Sequence, residues 1–446
     1  MKTWIKKLIA LLVFLAITGI CLNSAYRILS WKDTMGSYLS SVEQLYATPE
    51  DRIDALFVGS SHCYAAVNPD VMWRDYGIAA FDMAISGQGK SSALHYTIEA
   101  LKTQSPGVVV LDLLATTFEQ GIEGNRYRNL LSMRTSRNQY EMVMEAPYEN
   151  KADYLLKWPI VHTRYRELGA YDFIDNPYNS YGRGYCYRFT VNEVIHQPGL
   201  EDLTEEVPIS DSNRKWIDDF IALSEQENFV LLPVILPHEM TVGEKQIYNG
   251  VLEYLGERGI DYIDFNKMIA ELQLSYLTDF MDQGHLNYYG AEKLSGYLGG
   301  YLREKWNLPD HRGEPGYEEW EESLVYAEHL ITREELFQSA NSADYLAGAS
   351  QLDDLTIIVR RSAEDADDEI RVLRGADVLW DSASADPGKE YVTDLDYLHV
   401  LSLTLKDERY SAEINGEPVF EDERGTSVCV FDHRLGEIWE ARYFAE

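Results

Sequence analysis

Residues 54–62 read Asp-Ala-Leu-Phe-Val-Gly-Ser-Ser-His, an apolar run that ends in a glycine, two serines and a histidine. Such a continuous apolar run is typical of a strand buried inside a parallel sheet, and open α/β sheets bind ligands at the carboxyl ends of their strands. Gly59 allows a tight turn, so that Ser60 or Ser61 begins the next helix, where free N–H groups can stabilise an oxyanion. The stretch predicts a strand that presents a nucleophile. The alternative is a serine that only caps the helix.

A second polar motif stands far downstream, where residues 282–285 read Asp-Gln-Gly-His. An aspartate three residues before a histidine can hold the imidazole in the orientation that a general base needs. Together with the serines after the first strand, Asp282 and His285 complete the side chains of a Ser-His-Asp triad.

These motifs resemble those of the SGNH/GDSL hydrolases, whose serine comes early in the chain and whose Asp-x-x-His comes late. In this resemblance Ser61 takes the nucleophile position, and Asp282 and His285 match the last motif. Gly87, within residues 81–89, matches the glycine whose N–H forms the oxyanion hole together with that of Ser61. The resemblance covers roughly residues 51–306.

One motif of the family is missing. The family expects an asparagine after the next strand, but residues 108–117 offer only Asp112, Thr116 and Thr117 there. The third oxyanion donor is therefore left open, and the loss of one such donor typically lowers the rate on the order of 100-fold or more.

Within the superfamily, the pattern looks most like the membrane-anchored branch that includes relatives of teichoic-acid D-alanine transfer and polysaccharide O-acetylation proteins. This resemblance implies an extracytoplasmic serine esterase or O-acyltransferase acting on acyl esters of a cell-envelope polysaccharide. It also implies a membrane-bound O-acyltransferase as partner, and neither a cofactor nor a metal. The competing hypothesis is a non-enzymatic, glycan-binding envelope assembly protein with a decayed hydrolase fold.

The composition bounds the class of protein. The chain has 446 residues, of which 45% are hydrophobic and 12% aromatic, so it can bury real cores. A net charge of −35 argues against nucleic-acid binding, which needs a basic face. The four cysteines, Cys21, Cys63, Cys186 and Cys429, show no disulfide or zinc spacing, and Cys63 is interpreted as a small packed residue.

The N-terminus carries an apolar run over residues 8–22, preceded by Lys2, Lys6 and Lys7. Positive charge on the short side predicts a single-pass anchor over residues 1–30, with the N-terminus inside and the catalytic domain outside. A cleaved signal peptide is the alternative. A stalk helix is expected over residues 31–50.

Strand and helix patterns alternate between residues 54 and 306. The predicted strands are 54–58, 79–84, 108–113, 229–236 and 261–264, and the helices between them are 91–103, 213–226 and 244–258. This alternation predicts an α/β domain over 31–308, a three-layer, doubly wound parallel sheet of the flavodoxin-like SGNH type.

A long insertion over residues 118–208 is rich in Tyr, Arg and Asn, including the stretch 178–185. Its aromatic rings and hydrogen-bond donors are suited to sugars, so it is interpreted as a substrate-binding lid, with His162 and Arg164 as candidate contacts. A structural cap is the alternative. His62 is interpreted as a pocket residue, and His238 as loop polarity and not a metal ligand.

The C-terminal part is predicted to be separate. Residues 309–345 are interpreted as a helical linker, solvated and rich in acids, and residues 346–446 as a small β domain with short strands. The last part resembles the interleukin-like EMT inducer domain, which implies β structure and a glycan- or protein-binding role.

Overall fold

The computed structural model describes residues 2–30, 40–118, 126–173, 181–362, 369–375, 377–384, 390–396, 398–406, 409–420 and 425–445. The chain divides into two compact units, Met1–Leu324 and Val325–Glu446. The predicted stalk helix and the tyrosine-rich stretch 178–185 fall partly outside the described residues.

The first unit contains, in chain order, α1 (Lys2–Leu29), α2 (Ser40–Ala47), β1 (Ala55–Val58), α3 (Ser61–Ala66), α4 (Pro69–Tyr76), β2 (Ala80–Asp82), α5 (Lys90–Ala100), β3 (Val108–Asp112), α6 (Arg126–Leu131), α7 (Arg137–Glu145), α8 (Lys151–Leu156), α9 (Trp158–Val161), α10 (Asp211–Glu227), β4 (Val230–Ile235), α11 (Val242–Glu257), β5 (Ile263–Asp264), β6 (Phe280–Asp282), β7 (His285–Leu286), α12 (Tyr288–Trp306) and the start of α13 (Glu318–Leu336).

The central sheet of this unit is parallel. Within the described residues its five strands are ordered β2-β1-β3-β4-β5. β1 pairs with β2 from Ala55 opposite Ala80, and with β3 from Ala55 opposite Val108. This is the doubly wound, flavodoxin-like strand order, whose ligand site lies at the carboxyl ends of β1 and β3. The fold class predicted from the sequence is confirmed.

The strands are buried on both faces, which explains their unbroken apolar sequence. Every residue of β1 and β3 is buried. Leu56 packs with apolar residues of α5, α10 and α11, and its neighbour Phe57 packs on the other face with those of α3, α4 and α12. The alternation of side chains along a strand therefore assigns successive residues to two separate cores.

The insertion between β3 and α10 is helical in its first part. Its described residues form α6 to α9 and three 3₁₀ turns, His162–Arg166, Ala170–Phe173 and Gly182–Gly184. Residues 185–194, which follow the last of these turns, have no regular secondary structure and are called the closing segment below. In it, the N–H of Cys186 donates to Tyr64 O at 3.0 Å, and that of Asn192 to Phe280 O at 2.9 Å. The closing segment thus connects α3 with the β6–β7 hairpin.

Helix α1 is long and apolar enough to cross a membrane over Trp4–Leu29, and its most apolar part is not buried against the described protein. A signal sequence near the N-terminus has the same properties. Length and composition therefore allow a single span or a signal sequence here.

Helix α13 differs from the predicted solvated linker. Trp320, in its first turn, is fully buried in the core of the first unit, and its indole N–H donates to Ala80 O at 3.0 Å. Arg183 of the insertion donates to Glu319 at 2.7 Å. The acidic composition of this segment concealed apolar side chains, Trp320 foremost, that pack in the core of the first unit.

We expect Trp320→Ala to lower the free energy of unfolding of the first unit by about 3–5 kcal/mol, because it leaves a large cavity beside β2. Glu321→Ala, at an exposed position of the same helix, is the matched control and should change stability little. Urea unfolding of the full chain measures both. Equal stability of the two variants would contradict the packing of Trp320.

The second unit is a β-sandwich with two helices. Besides the end of α13, its elements are α14 (Ser342–Ala349), β8 (Leu355–Ser362), β9 (Glu369–Arg374), β10 (Asp377–Asp381), β11 (Tyr391–Asp394), β12 (Val400–Lys406), β13 (Arg409–Ile414), β14 (Glu417–Pro418), β15 (Gly425–Asp432) and β16 (Glu437–Phe444). Within the described residues its antiparallel sheets have the orders β10-β9-β8-β15-β16 and β11-β12-β13-β14. Ile358 and Val372 of one sheet pack with Leu401 and Leu403 of the other.

Candidate active site

Ser60 and Ser61 follow β1 directly, and the structure gives them different surroundings. Ser60 is the N-cap of α3, is almost fully buried, and its Oγ accepts from the N–H of His62 at 3.4 Å. Ser61 is the first residue of α3 and is partly exposed. Its Oγ lies 2.7 Å from Nε2 of His285. Of the two serines, Ser61 therefore has the position of a nucleophile.

Gly59 is required by a close approach of the chain. A Cβ atom at this position would lie 2.6 Å from Cβ of Asp112 and 2.9 Å from Cβ of Cys63. Both distances are shorter than real Cβ contacts, so a side chain here would push the Ser60–Ser61 turn away from β3.

His285 and Asp282 belong to the β6–β7 hairpin. His285 Nδ1 lies 2.8 Å from Oδ1 and 3.0 Å from Oδ2 of Asp282, and Oδ1 also accepts from the N–H of Gly284 at 2.8 Å. The side chain of Asp282 is 49% exposed, whereas that of His285 is 22% exposed. The carboxylate can therefore fix the orientation of the imidazole.

Asn287 supports the hairpin, and the sequence patterns did not single it out. It is fully buried and is the N-cap of α12, accepting from the N–H of Gly290 at 3.2 Å. Its amide donates to Thr278 O at 2.8 Å and to Phe280 O at 3.3 Å. A polar residue just before a helix was the available signal.

Gly87 lies in the loop after β2, beside the nucleophile turn. The N–H of Ile85 donates to Gly59 O at 3.2 Å, and Gly87 has a φ of +60°, which favours glycine. Asn129 of the insertion donates through Nδ2 to Ser86 O at 3.0 Å. The insertion therefore supports the loop that carries the predicted oxyanion donor, a contact that no local sequence signal indicated.

The three side chains considered for the missing asparagine have other partners. Thr116 and Thr117 donate their hydroxyls to the backbone oxygens of Leu113 and Leu114, at 2.6 and 2.9 Å. Asp112 is almost fully buried at the end of β3 and accepts from the N–H of Leu114 at 3.2 Å. The hydroxyl groups of both threonines thus donate to backbone oxygens three residues earlier in the chain.

Burial raises the pKa of Asp112 to about 7, although hydrogen bonds from the N–H groups of Leu114 and Ser60 offset part of this rise. Burial also raises the pKa of Asp82 well above its ordinary value. The thiol of Cys63 lies beside these two carboxyl groups. Its pKa is raised chiefly by burial and, to a smaller extent, by the charges of Asp82 and Asp112. A thiol in these surroundings stays protonated and is a poor nucleophile.

Asp112 makes stability depend on pH in a defined direction. Its pKa is about 7 in the folded chain against an ordinary 3.8, so folding takes up a proton between these values. The contribution of Asp112 to the free energy of unfolding is therefore largest below pH 3.8, the ordinary pKa, and falls as the pH rises towards about 7, the pKa in the folded chain. From about pH 5 to about pH 8 the loss should be on the order of 3 kcal/mol. Asp112→Asn should remove this loss.

Urea unfolding of the wild type, Asp112→Asn and the exposed control Asp202→Asn at the two pH values measures the effect. The comparison uses the change with pH, so any constant effect of the amide on hydrogen bonding cancels. An Asp112→Asn variant with the wild-type pH dependence would contradict a proton held by Asp112.

His62 is part of a histidine cluster. Its ring centroid lies 4.8 Å from that of His238 and 5.0 Å from that of His285. Burial, followed by the two neighbouring histidines, lowers the pKa of His62 well below its ordinary value. Burial also lowers the pKa of His238. In the described residues, His62 Nδ1 and His238 Nε2 have no hydrogen-bond partner.

His238 thus lies next to the site, although the sequence suggested only loop polarity. Its ring reaches His62 because β4 ends beside β3 and brings the following loop to the same edge of the sheet. Among the described residues no group of three or more His, Cys, Asp or Glu side chains is arranged to hold a metal ion.

Arg164 has partners at the end of α1, whereas His162 has its partners in α9. Arg164 donates to Ser30 O at 2.6 Å and Leu29 O at 3.1 Å, and pairs with Asp172 at 2.9 Å. His162 is exposed, and its Nδ1 lies 2.9 Å from Pro159 O. These partners give Arg164 a structural role, and a role of either residue in binding substrate stays a prediction.

Comparison with known proteins gives likenesses among solved structures. No family model matches the sequence, and no curated protein matches it. The chain is similar to a protein from Desulfitobacterium hafniense described as lipolytic and of the G-D-S-L family, with 11% identity, a TM-score of 0.29, and 56% of this chain and 98% of that chain covered.

It is also similar to an active-site mutant of a family two carbohydrate esterase from Clostridium thermocellum, with 10% identity, a TM-score of 0.28, and 59% of this chain and 66% of that chain covered. An acetyl xylan esterase from Butyrivibrio proteoclasticus has 10% identity and a TM-score of 0.27, with 59% and 66% covered.

Proposed function

We propose that this protein is a serine esterase or O-acyltransferase. The observation that carries the proposal is the line of hydrogen-bonding contacts from Asp282 through His285 to Ser61, with distances of 2.8 and 2.7 Å. Ser61 and His285 are 224 positions apart in the sequence, so that only the fold unites them. A hydroxyl, an imidazole and a carboxylate in this order form the arrangement that activates serine for acyl transfer.

In the first half of the reaction, Ser61 Oγ attacks the ester carbonyl carbon and His285 Nε2 takes the hydroxyl proton. Asp282 stabilises the imidazolium that results. The N–H groups of Ser61 and Gly87 donate to the carbonyl oxygen as it becomes negative. The bond to the alcohol then breaks, His285 returns the proton to the leaving oxygen, and Ser61 carries the acyl group.

In the second half, an acceptor hydroxyl attacks the acyl-serine while His285 takes its proton. The bond between the acyl carbon and Ser61 Oγ then breaks, and His285 returns the proton to that oxygen. Water as acceptor gives hydrolysis, and a sugar hydroxyl gives transfer. Both routes use the same residues, so that access of the acceptor decides between esterase and acyltransferase.

For the substrate and the location, we propose acyl esters, acetyl-type, on a cell-envelope polysaccharide outside the membrane. The support is the length and apolar composition of α1, which we propose is an uncleaved anchor with Lys2, Lys6 and Lys7 at its inner end, and the sequence resemblance to envelope acylation proteins. A membrane-bound O-acyltransferase that supplies the acyl group is part of this proposal.

The second candidate is a non-enzymatic, glycan-binding envelope protein with a decayed hydrolase fold. Two observations favour it: Asp112 stands in the motif where the family expects an asparagine, and the side chain of Asp282 is half exposed. A buried acid in place of an amide donor would weaken stabilisation of the oxyanion.

A fluorophosphonate probe decides between the two candidates, because it forms a covalent bond only with an activated serine. We expect the full chain in membranes to be labelled, with the modified peptide containing Ser61. Absence of labelling in the folded wild type would favour the binding protein. Release of acetate from a model ester, with and without a sugar acceptor, then separates hydrolysis from transfer.

A further inference from the structure

The insertion packs against the outer end of α1. The 3₁₀ turns His162–Arg166 and Ala170–Phe173 and helix α9 all contact α1. Arg164 donates to the last carbonyl groups of this helix and is held by Asp172, with both side chains about nine-tenths buried. A guanidinium at a helix C-terminus satisfies carbonyls that have no partner within the helix and favours the negative end of its dipole.

The length of the exposed part of α1 indicates where the contact with the insertion lies relative to a bilayer. Residues 4–22 of α1 are almost all exposed, and side chains become partly covered from Ala25 onwards. At 1.5 Å per residue the exposed part is about 28 Å long, close to the roughly 30 Å of a bilayer's hydrocarbon core. If α1 crosses the membrane, the contact with the insertion begins where the helix leaves the hydrocarbon.

The same part of the insertion exposes large apolar side chains. Leu156 is 65% exposed, Tyr165 59% and Phe173 64%, and we call these three the interfacial patch. Arg166 lies over the ring of Tyr165 at 5.3 Å and donates to its hydroxyl at 2.9 Å. Aromatic rings beside basic groups are characteristic of the membrane–water interface.

The part of the insertion that carries the interfacial patch differs in charge from the chain as a whole. In residues 156–173 the exposed charged side chains are Arg166 and Glu167, which balance, because Lys157, Arg164 and Asp172 are buried. The whole chain, in contrast, carries −35. Anionic lipid repels a strongly acidic surface but does not repel this one.

We propose that the interfacial patch lies in the headgroup region of the outer leaflet and gives the first unit a second membrane contact besides α1. The proposal rests on α1 as a membrane span, as proposed above. A flexible tether alone would leave the catalytic unit free to tumble. Because Arg164 binds the end of α1 and the interfacial patch inserts beside it, the first unit keeps one orientation relative to the bilayer. Ser61 then acts on acyl groups near the membrane.

Quenching by nitroxide-labelled lipids tests the depth of each side chain. Full-length Leu156→Cys, Tyr165→Cys and Phe173→Cys, each with Cys21→Ser, are labelled with an environment-sensitive fluorophore in vesicles of phosphatidylcholine and phosphatidylglycerol. Leu277→Cys, also with Cys21→Ser, is the matched control, because Leu277 is 61% exposed in the same unit but outside the insertion. The wild type is labelled at Cys21, which is exposed on α1, whereas the other cysteines are buried.

We expect shallow nitroxide lipids to quench the three patch labels severalfold more than the Leu277→Cys label, and aqueous iodide to do the reverse. Nitroxide lipids labelled on the acyl chain just below the headgroups should quench the label on Cys21, because Cys21 lies near the outer end of the exposed part of α1. Quenching at Cys21 but not at the patch overturns the second contact and leaves the anchor intact. A patch shielded from lipid and iodide alike would indicate a protein partner and equally overturns it.

Two further outcomes count against the proposal. Equal lipid quenching at the patch and at Leu277→Cys means that the contact is not specific to the insertion. An unquenched label on Cys21 removes the anchor on which the proposal depends. Fluorophosphonate labelling of Ser61 is independent of all these measurements, so failure of the catalytic assignment remains distinguishable.

Discussion

Ser61→Ala should abolish cleavage of acyl esters, whereas Ser60→Ala should retain it. Only the Oγ of Ser61 contacts His285, at 2.7 Å, and Ser60 Oγ faces the N–H of His62. Removal of the nucleophile from a serine triad lowers kcat by on the order of 10⁴- to 10⁶-fold. Loss of the N-cap in Ser60→Ala should cost about 0.5–2 kcal/mol of stability, towards the low end because its bond is long at 3.4 Å.

The measurement is kcat on a soluble acetyl ester for the wild type and both variants, with urea unfolding as the control for folding. Ser60→Ala is the matched variant, since it removes the same hydroxyl one residue earlier. Equal loss of activity in both variants, with folding intact, would refute the assignment of Ser61.

Asp282→Asn should lower kcat by on the order of 10²- to 10⁴-fold. An asparagine oxygen can still accept from both His285 and Gly284, which share Oδ1 at 2.8 Å, so that the imidazole keeps its orientation. What disappears is the negative charge that stabilises the imidazolium in the transition state. Because Asp282 is 49% exposed, water already weakens this charge, and the loss should be smaller than for a buried aspartate.

Gln283→Ala is the control for Asp282→Asn, because Gln283 is exposed in the same turn. Its activity should stay near that of the wild type, and unfolding should be unchanged in both variants. An Asp282→Asn enzyme with full activity would mean that another group stabilises His285, or that the triad is not used.

The sheet was predictable because its signals are local. β1 and β3 are short, fully buried and therefore uniformly apolar, and their pairing follows from the parallel topology that alternating helices impose. The proximity of Ser61 and His285 could also be predicted without knowledge of side-chain packing. The reason is that loops at the carboxyl ends of such strands meet at one edge of the sheet.

Predictions were poorer where a residue depends on a distant partner. His238 was interpreted as loop polarity. Its ring nevertheless packs against that of His62, which lies 176 residues earlier in the sequence. Arg164 donates to the carbonyl groups at the end of α1, a contact that no sequence pattern indicated, and its role at the substrate stays a prediction. A guanidinium suits sugars and helix ends equally well, so residue type alone could not distinguish them. Trp320 was hidden in an acidic helix.

The closing segment also has a kinetic consequence for refolding. It connects α3 to the β6–β7 hairpin, and these elements are as far apart in sequence as Ser61 and His285. Contacts between such distant residues form late, because closing a long loop is entropically unfavourable until most of the intervening chain has folded. If the protein is the proposed esterase, its activity should therefore return more slowly than helical circular dichroism after dilution from urea, and an incomplete chain should be inactive until α12 has folded.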